Sequence, residues 1–144
     1  AGDVVSEQAG GGSDLVITSV SYTLSADVEN LTGATAGPLV LKGNTIANVI
    51  KGNIGADKLY GGLGKDSLTG DKGRDVFVFN TKVDSKKLNV DKVTDFVVKD
   101  DTIWLDNAVF KQLGSGSEKK PVRLDKDFLT LGTKAQDADD YLIY

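Results

Sequence analysis

The 144-residue chain has no histidine, no cysteine and no methionine, and only 2 prolines. Without histidine it lacks the His-Glu-x-x-His zinc site of metalloproteases and any Ser-His-Asp triad. Without cysteine it forms no disulfide, so its stability is sought in packing or in bound ions. No apolar run approaches the ~20 residues that a membrane-spanning helix needs. The missing methionine, with Ala1 at the first position, predicts that the chain is a piece of a longer protein. Aromatics are scarce at 7%, and no aromatic ladder accompanies the basic residues. The 17 bases, outnumbered by 21 acids, are mostly lysines spread along the chain, as at Lys51, Lys58, Lys65 and Lys72. That pattern describes a solvated face, and no nucleic-acid partner is expected.

What the chain does have is glycine, 17 residues of it, and much of it is periodic. Residues 52–60, 61–69 and 70–78 form three contiguous nonapeptides, GNIGADKLY, GGLGKDSLT and GDKGRDVFV. Position 1 is always Gly, position 4 Gly, position 6 Asp and position 8 a large apolar residue. The glycines let the backbone enter left-handed or crowded conformations and turn carbonyl oxygens inward. Asp at position 6 adds a hard anionic oxygen beside them. Calcium takes about 6–8 oxygen ligands, mixing carboxylates with backbone carbonyls. Position 8 (Leu59, Leu68, Phe77) supplies the buried face of a short strand.

Two nonapeptides make one coil, so repeats of like parity stack. The Gly52 turn then lies on the Gly70 turn, and Asp57 and Asp75 bracket one ion. The Gly61 turn needs a partner at residues 43–51, GNTIANVIK, which keeps Gly43 and Ile50 but carries Asn48 at position 6. An amide brings an oxygen without charge, so an Asn48/Asp66 site is expected to be the weaker. The metal ligands expected are the backbone carbonyls of Gly52, Ile54, Gly61, Leu63, Gly70 and Lys72, with the side chains of Asn48, Asp57, Asp66 and Asp75. Asp84 or Asp91 either finishes a third site beneath the last turn or is a solvent-exposed or turn-capping acid, since Asp is common in both roles. The apolar register continues through Leu41, Ile50, Leu59, Leu68 and Phe77, which chance turns would not maintain.

Upstream, Leu15–Thr18 and Val20–Leu24 read as strands, and residues 31–51 as irregular coils leading into the repeats. Downstream, Val93–Val98 and Thr102–Leu105 read as strands and Asn107–Leu113 as one short helix, with apolar pairs around Phe128-Leu129 and Leu142-Ile143. The chain therefore divides into degenerate coils or spacer (1–42), repeats (43–78) and a segment (79–144) that caps the exposed last coil of the same domain.

The nonapeptides resemble the RTX, or hemolysin-type, calcium-binding repeat. The flanks extend the likeness: Asp3-Val4-Val5-Ser6-Glu7 leading to Ser19–Leu24 and Val28–Thr32 before the repeats, and Asp75–Asn80 running to Asp91–Phe96 and Asp101–Leu105 after them. The chain is similar there to the C-terminal regions of bacterial proteases, lipases, epimerases and adhesins exported by type I secretion. That resemblance implies an all-β, right-handed parallel β-roll, a calcium-bound solenoid with a C-terminal cap. It also implies a place in a larger extracellular protein of a Gram-negative bacterium, with the type I secretion machinery as a partner. Fewer repeats and more lysines than usual in the family imply a small calcium load, and the closing residues resemble an incomplete tail.

Three function classes follow. A calcium-dependent folding module is favoured, because binding energy becomes folding energy when the site is absent from the unfolded chain. Catalysis is not expected: the adjacent acids Asp100/Asp101 and Asp139/Asp140 would point to opposite faces of a strand or be solvated in a loop. The alternative is an extracellular binding or adhesion module for polysaccharide or a cell surface. Tyr22, Tyr60 and Trp104 on one exposed face would favour it.

Overall fold

The computed structural model describes residues 11–82, 89–106 and 108–110, with the backbone of Leu129–Thr130 and Leu142–Ile143. Two compact units are present, Ala1–Leu105 and Asp106–Tyr144. In the first unit the chain winds as a parallel β-roll. Strands β1 (Leu15–Thr18), β3 (Asn30–Gly33), β5 (Val49–Lys51), β7 (Ser67–Thr69) and β9 (Lys92–Val93) stack in that order in one sheet. Strands β2 (Tyr22–Thr23), β4 (Val40–Lys42), β6 (Lys58–Tyr60), β8 (Val76–Phe79) and β10 (Thr102–Leu105) form the other. All the pairings are parallel, and consecutive strands alternate between the sheets. In the second unit β11 (Leu129–Thr130) pairs with β12 (Leu142–Ile143), also in parallel. No helix occurs among the described residues.

Strands β4 to β7 are three residues long, and only the middle residue of each is buried. Leu31, Ile50 and Leu68 from one sheet and Leu41, Leu59 and Phe77 from the other are all 0% exposed, while their strand neighbours are not. Burial at roughly 1.5–3 kcal/mol per large apolar side chain makes this single column the main apolar support of the roll. It also fixes the register, since a one-residue slip would turn every one of these side chains outward.

The coil length changes along the chain. Equivalent atoms in adjacent repeat coils are 18 residues apart. The upstream coils use 15 at the first step and about 19 afterwards. Between the last repeat coil and β9–β10 the step is 25–26 residues. The extra residues fall mainly between β8 and β9, so the sheets continue although the repeat does not. The segment after the repeats thus adds one more strand to each sheet. Two expected strands are shorter than their sequence runs: β2 is only Tyr22–Thr23, and of residues 93–98 only Val93 is in a strand, because the chain bends at residues 94–95 and turns at residues 98–100. The expected helix at 107–113 falls largely outside the described residues, and Ala108–Phe110 is a turn closed by the N–H of Phe110 on the Asp106 carbonyl (2.8 Å).

Candidate metal centre

The three regular turns are bent in the same way. Position 4 is left-handed in each, with φ of 144° at Gly55, 117° at Gly64 and 154° at Gly73. Position 2 is left-handed too, at Asn53 (80°), Gly62 (101°) and Asp71 (65°), the residue types that tolerate this region best. Glycine at position 4 is also demanded by space: a Cβ on Gly64 would stand 2.5 Å from the Ile46 carbonyl oxygen, and one on Gly73 would overlap that of Gly55. The carbonyls of position 4 in one turn therefore press against position 4 of the turn below.

Position 6 is buried. Asp57, Asp66 and Asp75 are 0%, 2% and 1% exposed. One oxygen of each is satisfied by the coil above: Oδ1 of Asp57 accepts the Leu39 N–H (2.7 Å), that of Asp66 the Asn48 N–H (2.8 Å), and that of Asp75 the Asp57 N–H (2.9 Å). The other oxygen, Oδ2, has no hydrogen-bond partner in any of the three. It lies against the Cα of the position 1 glycine of its own turn. A Cβ on Gly52 would meet Asp57 Oδ2 at 2.7 Å and the Gly70 carbonyl oxygen at 2.8 Å. A carboxylate oxygen of one coil and a carbonyl oxygen of the next thus converge where only glycine leaves room. The Asn48 Oδ1 and the Gly61 carbonyl converge in the same way on Gly43.

Buried acceptors without donors cost free energy unless a cation joins them. The donors here are hard oxygens, few of them charged. Among the described residues no group of three or more His, Cys, Asp or Glu side chains is placed to hold a metal ion by itself, so an ion here would take much of its coordination from backbone carbonyls. That donor set fits calcium and fits poorly a soft or strictly octahedral metal.

The electrostatics point the same way. Burial raises Asp75 from the usual 3.8 to about 6, and the neighbouring carboxylates of Asp101, Asp57 and Asp95 push in the same direction against the Asp57 N–H. Burial raises Asp66 to about 7, against the Asn48 N–H, with the Asp91 carboxylate adding to the rise. Asp57 and Asp91 are also raised by burial. The protein without an ion is therefore a site of suppressed carboxylate charge.

Each stack ends where the sequence departs from the repeat. Above Asp57 the equivalent position is Leu39, whose Cδ1 would stand 2.9 Å from a Cβ on Gly33, beside the Gly52 carbonyl. A methyl group there closes the stack. Above Asp66 stands Asn48, whose Oδ1 accepts the Asn44 N–H (2.8 Å) and whose Nδ2 donates to the Val28 carbonyl (2.9 Å). The amide replaces a missing cation on one side and still offers an oxygen on the other. Below the repeats, Asp91 Oδ1 accepts the Asp66 N–H (3.1 Å) and Asn89 Oδ1 the Gly64 N–H (2.8 Å). On the opposite edge Asp95 receives the N–H groups of Gly70 (3.0 Å) and Asp71 (2.7 Å), and Asp101 those of Asp75 (3.0 Å) and Val97 (2.8 Å).

The structure therefore stacks Asp57 on Asp75 and Asn48 on Asp66, and sets Asp91 beneath Asp66; Asp84 lies outside the described residues. The position 1 carbonyls of Gly52, Gly61 and Gly70 face the coil above. The Lys72 carbonyl faces it too, accepting the Gly55 N–H (2.8 Å), and Ile54 and Leu63 take part in inter-coil backbone pairing with exposed side chains. Sequence reasoning missed the position 4 carbonyls of Ile46 and Gly55, and it missed Asp101. A usable signal existed for Asp101: Asp-x-apolar recurs at Asp57, Asp66, Asp75, Asp91 and Asp101, although the nine-residue spacing is lost after Asp75.

Residues 42–77 match the family model of the RTX calcium-binding nonapeptide repeat, in 4 copies. The segment is an RTX repeat array. Its four copies take in the degenerate nonapeptide 43–51 together with the three regular ones. No curated protein matches the chain. The deviant Asn48 thus lies in the first of the four copies and forms the upper end of its stack within the RTX array.

Proposed function

We propose that this RTX roll is a calcium-driven folding module of an exported protein and not a catalyst. The observation that carries the reading is the convergence beside Gly52 of Asp57 Oδ2, buried and without a donor, with the Gly70 carbonyl of the next coil. Calcium supplies the positive charge that lets such oxygens approach. Asp57, Asp75, Gly52 and Gly70 would hold the stronger ion, and Asn48, Asp66, Gly43 and Gly61 the weaker; Asp91 stands where a third ion would be closed from below. At low cytosolic calcium the chain stays loose and fit for export through a type I secretion channel. Outside a Gram-negative cell, sites of ~10⁻⁴–10⁻³ M affinity fill and close the roll. Folding on the far side then favours outward passage.

The test is a calcium titration followed by far-UV circular dichroism, starting from chelated protein at neutral pH. A cooperative gain of parallel β-structure in millimolar calcium is expected, and magnesium should not replace calcium because it holds its water and requires octahedral geometry. Asp57→Ala and Asp75→Ala should each raise the calcium midpoint about tenfold or more, on the scale of one lost charge-assisted ligand. Asn48→Ala should shift the midpoint less while lowering stability, because its amide holds Asn44 and Val28. A full β-spectrum in chelator, unmoved by calcium, would end the folding-module reading.

A further inference from the structure

Register carries the repeat positions upward into coils that no longer spell them. Residues 24–29 are the counterpart of 43–48, since Tyr22 pairs with Leu41 and Asn30 with Val49. The Leu24 N–H donates to the Lys42 carbonyl (2.9 Å) as the Gly43 N–H does to that of Tyr60 (2.8 Å). Position 4 is again left-handed, at Asp27 (φ 65°). Two kinds of group replace the residues that would hold an ion. Buried leucines stand at position 1 (Leu24) and position 6 (Leu39), each 4% exposed, where the regular repeats have Gly and Asp. Side-chain amides reach up to carbonyls of the coil above. Asn44 Nδ2 donates to Ser25 (2.6 Å) and Val28 (2.9 Å), and Asn48 Nδ2 to Val28 (2.9 Å). Asn53 Nδ2 donates to Gly33 (3.1 Å) and Asn30 Nδ2 to Asp14 (2.9 Å).

Unpaired oxygens divide the roll in two. In the repeats Asp57, Asp66 and Asp75 each keep a buried Oδ2 without a donor, whereas in the described coils above them only Asp14, in the uppermost turn, does. Seven of the ten buried side chains of the apolar core come from residues 16–50, because the upper turns add Leu24, Val28 and Leu39 to the strand column. A neutral amide satisfies a carbonyl without a cation, and apolar burial needs none. We propose that residues 11–51 close without calcium and form the seat on which the ion closes the repeat coils below. In a roll whose coils touch only their neighbours, folding spreads from whichever part forms first. Calcium then extends an existing sheet edge instead of starting one, so residues that touch no ion help to set the calcium midpoint. The repeats and the strands after them stay open in chelator, as export requires. The proposal rests on the calcium reading for the repeats alone.

The test is hydrogen–deuterium exchange, read by mass spectrometry on the full chain in chelator and in millimolar calcium at neutral pH. Relative to their intrinsic rates, the amides of residues 22–42 should exchange about tenfold more slowly in chelator than those of 58–78, and calcium should protect both. Asn44→Ala should erase that difference and raise the calcium midpoint about threefold or more, although its amide faces Ser25 and Val28 and not an ion slot. Leu24→Gly, which writes the repeat's own residue back, should do the same without cutting an amide. If a variant fails to fold in calcium, the unsubstituted chain decides alone. Fast exchange throughout in chelator would overturn the proposal and leave the calcium reading standing. Slow exchange throughout would overturn both. Chelator protection of residues 22–42 that survives in both variants would show that these groups do not build the seat, and would overturn the proposal as well.

Discussion

In chelator, the chain is expected to hold more β-structure at about pH 5 than at about pH 7.5, the reverse of ordinary acid denaturation. The repeat carboxylates have folded-state values above their unfolded one: Asp66 about 7, Asp75 about 6, and Asp57 and Asp91 raised, against 3.8. A carboxyl group raised by folding binds its proton more tightly in the folded state. Its stabilising contribution is complete below the unfolded value and is lost as pH rises through the folded one, here the window up to about 7. Protons at acid pH thus do part of what calcium does at neutral pH. With calcium present the dependence should invert, because protons compete for Asp66 and Asp75, so the calcium midpoint rises as pH falls from about 7 to about 5. Far-UV circular dichroism across that range, with chelator and with calcium, checks both arms. Loss of β-structure on acidification in chelator would show that these carboxylates are not confined as their burial implies.

Truncation after Val78 should be at least as damaging. The cut removes β9 and β10, which pair with β7 and β8, and with them Asp91, Asp95 and Asp101. The N–H groups of Gly64, Asp66, Gly70, Asp71 and Asp75 lose their acceptors together. Leu68 and Phe77, both 0% exposed, come to lie in terminal strands with open edges. Re-exposing two such side chains at roughly 1.5–3 kcal/mol each, with five hydrogen bonds lost, is a large fraction of a typical domain stability of about 5–15 kcal/mol. A chain of residues 1–78 should therefore remain disordered or self-associate even in millimolar calcium, although it keeps every Gly and Asp of the RTX array. Sedimentation velocity with circular dichroism tests this. A soluble monomer with full calcium-induced β-structure would show that the roll closes without its last strands.

The parts of this account that were legible in the sequence are those written with a period. Gly52, Gly61 and Gly70 with Asp57, Asp66 and Asp75 announced the turns, and the step between Leu41, Ile50, Leu59, Leu68 and Phe77 announced two sheets with one inward column. Spacing alone also gave the stacking of the Gly52 turn on the Gly70 turn. The lower closure was harder to see because the coil there lengthens to 25–26 residues, which hides Asp101 from a count by nines or eighteens. Asp101 was read as half of an acidic pair and as the start of the flank Asp101–Leu105, whereas the fold places it under Asp75. Position 4 carbonyls escaped notice because a backbone oxygen has no letter in the sequence; Ile46 and Gly55 matter through their conformation. Leu39 shows the converse: its apolar side chain fills the slot that Asp fills one coil later, and only the coil-to-coil register reveals that the two are equivalent.

The central claim is that ions sit between stacked turns, where a carboxylate or amide oxygen of one coil meets a carbonyl of the next. Anomalous diffraction from crystals grown in millimolar calcium tests it most directly. The account predicts a peak beside Gly52, within coordination distance of Asp57 Oδ2 and the Gly70 carbonyl, and a second of lower occupancy beside Gly43, near Asn48 Oδ1 and the Gly61 carbonyl. An ordered roll with no peak between these turns, or with calcium bound only at exposed acids such as Asp100, would contradict it.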